Sequence, residues 1–307
     1  MKNTTLILDT SDGEKLAGIR WEPDRSPKAV VQIAHGASEH SARYERLAEV
    51  LTDAGYAVYA VDHRGHGRTA DAYGRFGVAR PGGWAAIVRD TRELTERIQQ
   101  EHPGVPIVLF GHSMGSMIVQ GYVQEWGDDL AGVVLSGTTG GSVIDDETMG
   151  IVVGMGEGDG ADEPSAAFAA MFAGFNEPFT SADATGFEWL SRDADEVKKY
   201  VDDPWCGEPL SNGFVADMLS STAAMWKPEA EAHVEKDLPI YLFSGDQDPV
   251  GGEMAGSVRD LAGRYEALGA GPVTLRIYEG GRHEMLNETN RDEVHADLLR
   301  WLETLDL

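Results

Sequence analysis

Residues 106–123, PIVLFGHSMGSMIVQGYV, place a short apolar run directly before a serine flanked by glycines and a stretch with helical periodicity. A continuous apolar run of this length is typical of a strand that is buried on both faces of a parallel sheet. In residues 111–115 the small glycines leave room for a sharp turn that exposes Ser113. The segment predicts a strand, a turn bearing a nucleophile and a helix; an incidental serine in an ordinary turn is the weaker alternative.

Similar apolar runs alternate with helix-period stretches along most of the chain, a pattern that is typical of a sheet with crossover helices. The 307 residues suffice for one such domain with an insertion. We therefore predict an α/β fold with a mostly parallel eight-stranded sheet flanked by helices. Candidate strands are residues 5–9, 16–22, 29–35, 57–62, 106–111, 131–136, 239–244 and 273–278. Candidate helices are residues 41–54, 84–101, 114–126, 253–268 and 288–304.

Roughly 100 residues separate the sixth and seventh candidate strands, far more than a crossover needs. We predict a core of residues 1–137 and 238–307 and an inserted helical cap of residues 138–237. This insertion is rich in methionine and phenylalanine, which suit a mobile apolar lid over a pocket. The same side chains suit the core of a small accessory subdomain, and the sequence leaves both interpretations open.

A serine nucleophile needs a base to take its proton, and His283 is the best candidate among the nine histidines. It follows the last candidate strand, where LRIYEGGRHEMLNE runs through a Gly-Gly turn. By contrast, His233 and His295 are predicted on helix surfaces, and His102 precedes a proline in a loop.

The base in turn needs a carboxylate that orients its ring, and the segment IYLFSGDQDPVGG supplies Asp246 and Asp248 at a strand end. We prefer Asp248, because an acid a few residues beyond the strand can reach sideways to the histidine. Asp246 is better placed to shape the turn. On the residues alone the margin between the two is small.

An oxyanion forms when a carbonyl is attacked, and backbone N–H groups must stabilise it. We expect one from Met114, directly after the nucleophile, and another from Ala37, in the small-residue loop after the third candidate strand. An ordinary glycine turn is the alternative for that loop. The segment VDHRGHGRT lacks the spacing of a phosphate-binding loop and is interpreted as a structural turn. Its histidines belong to no convincing ligand set, so we predict neither a metal nor a cofactor.

The formal net charge of −27 disfavours nucleic acid and anionic lipid surfaces as partners, because both would be repelled. No apolar run is long enough to cross a bilayer, and the N-terminus lacks the pattern of a secretory signal. The single cysteine, Cys206, is compatible with a reducing compartment. We therefore expect a cytoplasmic protein without stable membrane insertion that acts on a small molecule, and a homodimer stays open.

Five motifs along the chain resemble, in order, those of the monoacylglycerol lipase and lysophospholipase branch of the α/β-hydrolases, the serine aminopeptidase S33 or hydrolase-4 family. They are HGASEHSARYERLA, VDHRGHGRT, GHSMGS, SGDQDPVG and YEGGRHEMLNE, and WLSRDADEVKKYVDDPWCG is similar to a cap segment of bacterial members. The resemblance covers nearly the whole chain. It implies the α/β-hydrolase fold with a cap and the hydrolysis of single-chain acyl esters by a Ser-His-Asp mechanism.

The resemblance also implies roles for individual residues. Asp248 is the implied acid, Ala37 and Met114 form the implied oxyanion hole, and Glu39 and Arg43 lie near the polar head of the substrate. Some lipases of this branch carry a second histidine three residues after the catalytic one, where this chain has Leu286. That departure puts a glycerol contact of the same style in doubt.

Two other functions remain as alternatives. An aminopeptidase or amidase on the same scaffold needs acidic groups in the cap to bind a free amino terminus, and Asp159, Asp162 and Glu163 supply candidates. A binding protein that has kept the pocket and lost activity is disfavoured by the complete set of catalytic candidates.

Overall fold

Eight strands form one sheet in the computed structural model, which describes residues 1–80, 82–141 and 146–307. The order across the sheet is β1-β2-β4-β3-β5-β6-β7-β8. The pairs β1 with β2 and β2 with β4 are antiparallel, and the remaining pairs are parallel. The strands are β1 Lys2–Asp9, β2 Lys15–Glu22, β3 Ala29–Ala34, β4 Tyr56–Val61, β5 Ile107–His112, β6 Gly132–Ser136, β7 Ile240–Gly245 and β8 Val273–Tyr278. The predicted mostly parallel eight-stranded sheet is confirmed.

Helices cover both faces of this sheet. Among the described residues they are α1 Glu45–Asp53, α2 Gly67–Tyr73, α3 Gly83–Glu101, α4 Met114–Trp126, α5 Asp146–Met155, α6 Ala166–Asn176, α7 Ala194–Asp202, α8 Asn212–Met225, α9 Pro228–Glu231, α10 Gly256–Leu268 and α11 Arg291–Leu302. Successive residues of β3 point to opposite faces of the sheet, since Val30 belongs to one buried apolar cluster with residues of α3, α4 and α10, and Val31 belongs to another with residues of α1 and α11. The central strands are therefore buried on both sides, as their continuous apolar runs predict.

Two local predictions hold only in part. The predicted helix 41–54 begins as a 3₁₀ turn, Ser41–Tyr44, before α1. The predicted turn in residues 61–69 gives way to a helix at Gly67, because the carboxylate of Asp62 accepts the N–H of Arg68 in the first turn of α2.

The chain between β6 and β7 carries α5 to α9, as expected for an insertion. Some of its aromatic side chains pack with one another around Trp189, and others line a cavity beside Ser113. Residues 142–145 of the predicted cap lie outside the described residues, and the exact division into core and cap stays a prediction. Within the described ranges, no helix combines the length and the hydropathy that crossing a bilayer requires.

Candidate active site

Ser113 lies between β5 and α4 with backbone angles of φ 53° and ψ −122°. A positive φ is strained for a residue with a side chain, and it is typical of a serine held on a sharp turn between strand and helix. A Cβ at Gly111 would meet the carbonyl of Gly115, and a Cβ at Gly115 would meet that of Ala34. The turn thus requires both glycines, and it leaves Ser113 partly exposed.

His283 and Asp248 are hydrogen-bonded inside the protein. The Nδ1 atom of His283 lies 3.0 Å from Oδ1 and 3.1 Å from Oδ2 of Asp248. Asp248 is held in turn by the N–H of Val250 at 3.0 Å and the hydroxyl of Ser244 at 3.2 Å. Burial lowers the pKa of His283, but the Asp248 carboxylate outweighs burial, so the pKa lies above the ordinary value of 6.5. The arrangement suits a base that is oriented by a carboxylate.

A small pocket brings Ser113 and His283 together. Glu39, Glu284 and Tyr200 are among its other lining residues. The structure therefore places the predicted nucleophile, base and acid at one edge of the sheet, beyond the carboxyl ends of β5, β7 and β8.

The two predicted oxyanion donors, Ala37 and Met114, line a second cavity together with Ser113. Met114 is the first residue of α4, where backbone N–H groups have no partner within the helix. Ala37 belongs to residues 35–39, which we call the oxyanion loop. Both N–H groups are thus in the neighbourhood of the nucleophile, and their catalytic role stays a prediction.

This second cavity, together with its opening to solvent, measures about 660 Å³ and runs beneath the insertion. Its lining is mostly apolar and combines core residues with residues of α6 and α8. The lining residues are Ala37, Ser113, Met114, Met117, Thr139, Gly141, Phe168, Met171, Phe172, Phe175, Trp189, Met218, Leu219, Thr222, Trp226 and Val250. Such a surface can hold an aliphatic chain beside the serine.

A comparison of the sequence with protein-family models decides to which family the chain belongs. The model for serine aminopeptidase, S33, matches residues 25–290. The chain belongs to this family.

Individual relatives agree with the assignment. A monoacylglycerol lipase of Mycolicibacterium smegmatis is 30% identical over 293 residues, which cover 92% of this chain and 90% of that protein. Monoglyceride lipase of Homo sapiens is 30% identical over 285 residues, or 92% and 84% of the two chains. The crystal structure of a highly thermostable carboxyl esterase from Bacillus coagulans, in complex with glycerol, matches with a TM-score of 0.91 at 28% identity over the whole of both chains. The predicted α/β-hydrolase fold and serine hydrolase class are confirmed.

In this hydrolase the predicted head-group residues already have protein partners. Glu39 accepts hydrogen bonds from the N–H of Gly36 at 2.6 Å and the hydroxyl of Tyr44 at 2.8 Å. Arg43 donates to Glu39 at 2.7 Å and to both oxygens of Glu284 at 2.6 and 2.8 Å. Their predicted contact with a substrate stays a prediction.

Sequence reasoning did not single out Trp189, which the insertion places directly on the proposed base. The ring centroids of Trp189 and His283 are 4.7 Å apart, and the N–H of His283 donates to the carbonyl of Trp189 at 3.3 Å. Next to it, the N–H of Glu284 donates to the carbonyl of Leu190 at 2.7 Å. The insertion therefore helps to position the base, and a tryptophan in the cap-like segment was the available signal.

A second network ties the oxyanion loop to the insertion. Ser38 has a φ of 56°, and its carbonyl accepts the hydroxyl of Tyr200 at 2.8 Å and the N–H of Gly207 at 2.9 Å. A non-glycine residue in this conformation is held there by its surroundings. The loop is thus fixed from both the core and the insertion.

Within the described part of the chain, one group of side chains could hold a metal ion. Its possible ligand atoms, from His40, Asp203 and Cys206, lie within 4.8 Å of one another. Nε2 of His40 and Oδ2 of Asp203 are 2.9 Å apart, as in an ordinary hydrogen bond. That the chemistry proceeds without a metal stays a prediction.

The other histidines are mostly buried. His295, predicted on a helix surface, is buried in α11, because the broad apolar face of that helix includes it. His35, the first residue of the oxyanion loop, packs with His63 and His66, with 4.1 Å between the ring centroids of His35 and His63.

Proposed function

We propose that this hydrolase cleaves carboxylic esters that carry one aliphatic acyl chain, with monoacylglycerols and small synthetic esters ahead of lysophospholipids. The observation that carries the proposal is the apolar cavity of about 660 Å³ that opens onto Ser113. The names of the lipase and esterase relatives support it.

The mechanism is a two-step acyl transfer. Ser113 attacks the ester carbonyl while His283 accepts its proton, and the N–H groups of Ala37 and Met114 stabilise the oxyanion. His283 then gives that proton to the leaving alcohol. Water activated by the same histidine releases the acid and restores the serine. Asp248 keeps the ring oriented and stabilises its charged form throughout.

The two cavities suggest separate places for the two halves of the ester. The apolar cavity takes the acyl chain, because its surface offers few hydrogen-bond partners to a polar head. The smaller pocket around Ser113 and His283 takes the alcohol, whose hydroxyls require polar partners.

An aminopeptidase activity is less well supported, although the family description includes it. It requires acidic side chains of the insertion that reach the site and bind a free amino terminus. Asp159, Asp162 and Glu163 are exposed, and none of them lines either cavity at Ser113.

The test is a substrate series under one set of conditions. It compares p-nitrophenyl esters from acetate to palmitate, monoacylglycerols of matched chain length, lysophospholipids and aminoacyl amides. We expect kcat/KM to rise from acetate to a longer chain, and monoacylglycerols to exceed lysophospholipids. Turnover confined to acetyl esters, or faster cleavage of amides, would contradict the proposal. The cytoplasmic location, the small-molecule partner and the homodimer are further predictions, which this series does not test.

A further inference from the structure

Two loops must be held at a fixed separation for the proposed reaction. The oxyanion loop supplies one N–H donor at Ala37, and residues 279–284, which we call the histidine loop, supply His283. Neither loop belongs to a strand or helix. Their relative position therefore depends on the side chains that connect them.

A continuous series of short hydrogen bonds makes that connection. The N–H of Gly36 donates to Oε1 of Glu39 at 2.6 Å, and Oε2 of Glu39 accepts from Arg43 at 2.7 Å. The guanidinium of Arg43 then donates to both oxygens of Glu284, at 2.6 and 2.8 Å. Since Glu284 directly follows His283, Arg43 bridges the two loops.

The bridge is shielded from solvent. The side chains of Arg43, Glu39 and Glu284 are only 12%, 4% and 6% exposed. Burial raises the pKa of Glu284, but the Arg43 guanidinium outweighs burial and keeps the pKa below its usual range. Glu284 and Arg43 are therefore both charged near neutral pH, and a low-dielectric site strengthens their attraction.

Arginine suits this position better than lysine. Its planar guanidinium binds one carboxylate with two parallel N–H groups and still reaches a second one. The guanidinium also lies over the ring of Tyr200, 4.9 Å from the ring centroid. The contact restricts Arg43 from the side of the insertion.

We propose that Arg43 and Glu284 are positioning residues whose ion pair sets the distance between the oxyanion loop and the proposed base. This inference rests on the proposed function. Arg43 does not need to touch the substrate, because it donates to two carboxylates and does not line the pocket that contains Ser113 and His283. Glu284 does line that pocket, but both of its carboxylate oxygens accept hydrogen bonds from Arg43. The pair acts on the chemical step instead, where a displacement of about 1 Å can cost about 100-fold in rate.

The test compares Arg43→Gln, Arg43→Lys, Glu284→Gln and the double variant R43Q/E284Q with the wild type. A matched control is Asp90→Asn, which breaks another buried bidentate pair, that of Asp90 with Arg64 at 2.7 Å for both bonds. Asp90 lies on α3 and lines neither cavity at Ser113. For each protein, kcat, KM, the midpoint of thermal unfolding and the rate of labelling by a fluorophosphonate are measured.

We expect Arg43→Gln and Glu284→Gln to lower kcat by about 10- to 100-fold with little change in KM. The double variant should be no worse than the poorer single variant, because the two residues act as one unit. Arg43→Lys should recover part of the loss. Fluorophosphonate labelling should slow in parallel, while Asp90→Asn should lower only the unfolding midpoint.

Three results would overturn the proposal. A raised KM with unchanged kcat would make Arg43 a substrate-binding residue. A normal kcat together with a lowered unfolding midpoint, as in Asp90→Asn, would leave the pair a structural role only. If the losses in kcat of the two single variants add up in the double variant, Arg43 and Glu284 act independently of each other. Failure of the proposed function is distinguishable, because the wild type itself would then be inert toward every ester.

Discussion

Nδ1 of His283 lies 3.0 Å from one carboxylate oxygen of Asp248 and 3.1 Å from the other, in a buried position. Asp246, two residues earlier at the same strand end, instead accepts the N–H of Gly280 at 2.8 Å. The two acids that the sequence leaves as rivals thus have different partners. One orients the proposed base and the other shapes the turn before it.

This difference predicts unequal effects of two conservative substitutions. Asp248→Asn should lower kcat by about 10,000-fold, because an amide no longer stabilises the charged imidazole and favours the wrong tautomer. Asp246→Asn, the matched control, should retain activity within about tenfold, since it loses only a turn contact. Steady-state rates on one p-nitrophenyl ester check both. Equal losses in the two variants would contradict the assignment of Asp248.

The raised pKa of His283 predicts the pH dependence of activity. The base must be neutral to accept a proton, so kcat/KM should fall as the pH drops, with a midpoint above 6.5. Glu284 is among the causes that raise this pKa. Glu284→Gln should therefore move the acid limb to lower pH. The pH profiles are measured on substrates without titrating groups. If the acid limb of Glu284→Gln stays at the wild-type pH, the group that titrates in the profile is not His283.

Buried histidines predict a loss of stability in mild acid. Burial lowers the pKa of His63 to about 3 and that of His112 to about 4, and it also lowers those of His35 and His66. As the pH falls, these histidines are protonated in the unfolded state before they are protonated in the folded state. Their contribution to the free energy of unfolding is therefore complete above pH 6.5 and is lost as the pH falls toward their pKa values in the folded protein. His283 has the opposite shift, and its contribution is lost only as the pH rises through its raised pKa.

His63→Leu tests this account, because neither ring nitrogen of His63 has a hydrogen-bond partner within the described residues. The free energy of unfolding, measured in urea between pH 7.5 and about 5, should fall less steeply in the variant, by up to about 1.4 kcal/mol per pH unit. Exposed His233→Leu is the control and should keep the wild-type slope. Identical slopes in all three proteins would refute the prediction.

If the apolar cavity holds the acyl chain, a larger side chain in its lining should shift the substrate preference toward shorter acyl chains. Leu219 on α8 lines this cavity and is partly buried. In Leu219→Trp the larger ring should fill the space, so kcat/KM should drop for decanoate and longer esters and stay near wild type for acetate. Ile151→Trp, at an exposed position of α5, should leave the profile unchanged. A uniform loss at every chain length would place the acyl chain elsewhere.

The sequence predicted best what depends on local patterns. The buried strands follow from continuous apolar runs, and the turn at Ser113 follows from two glycines whose Cβ atoms would collide with backbone. Asp248 and His283 follow from their places after strand ends. These features need no knowledge of distant contacts.

Contacts between residues far apart in the sequence could not be predicted. Arg43 and Glu284 are 241 positions apart, and no local pattern indicates that they meet. The same holds for Trp189, which lies on His283 only because the insertion folds back over the sheet edge. The prediction that His295 lies on a helix surface was wrong for a related reason. The packing of α11 against the rest of the protein decides which residues of its broad apolar face are buried, and His295 is one of them.

The most direct test of the account is the rate of p-nitrophenyl ester hydrolysis by the wild type and by Ser113→Ala, with equal thermal unfolding midpoints as the check on folding. We expect the wild type to hydrolyse the esters and the variant to lose at least about 1,000-fold in kcat, because no other group can form the acyl-enzyme. Hydrolysis by Ser113→Ala at the wild-type rate would contradict a serine mechanism at this site.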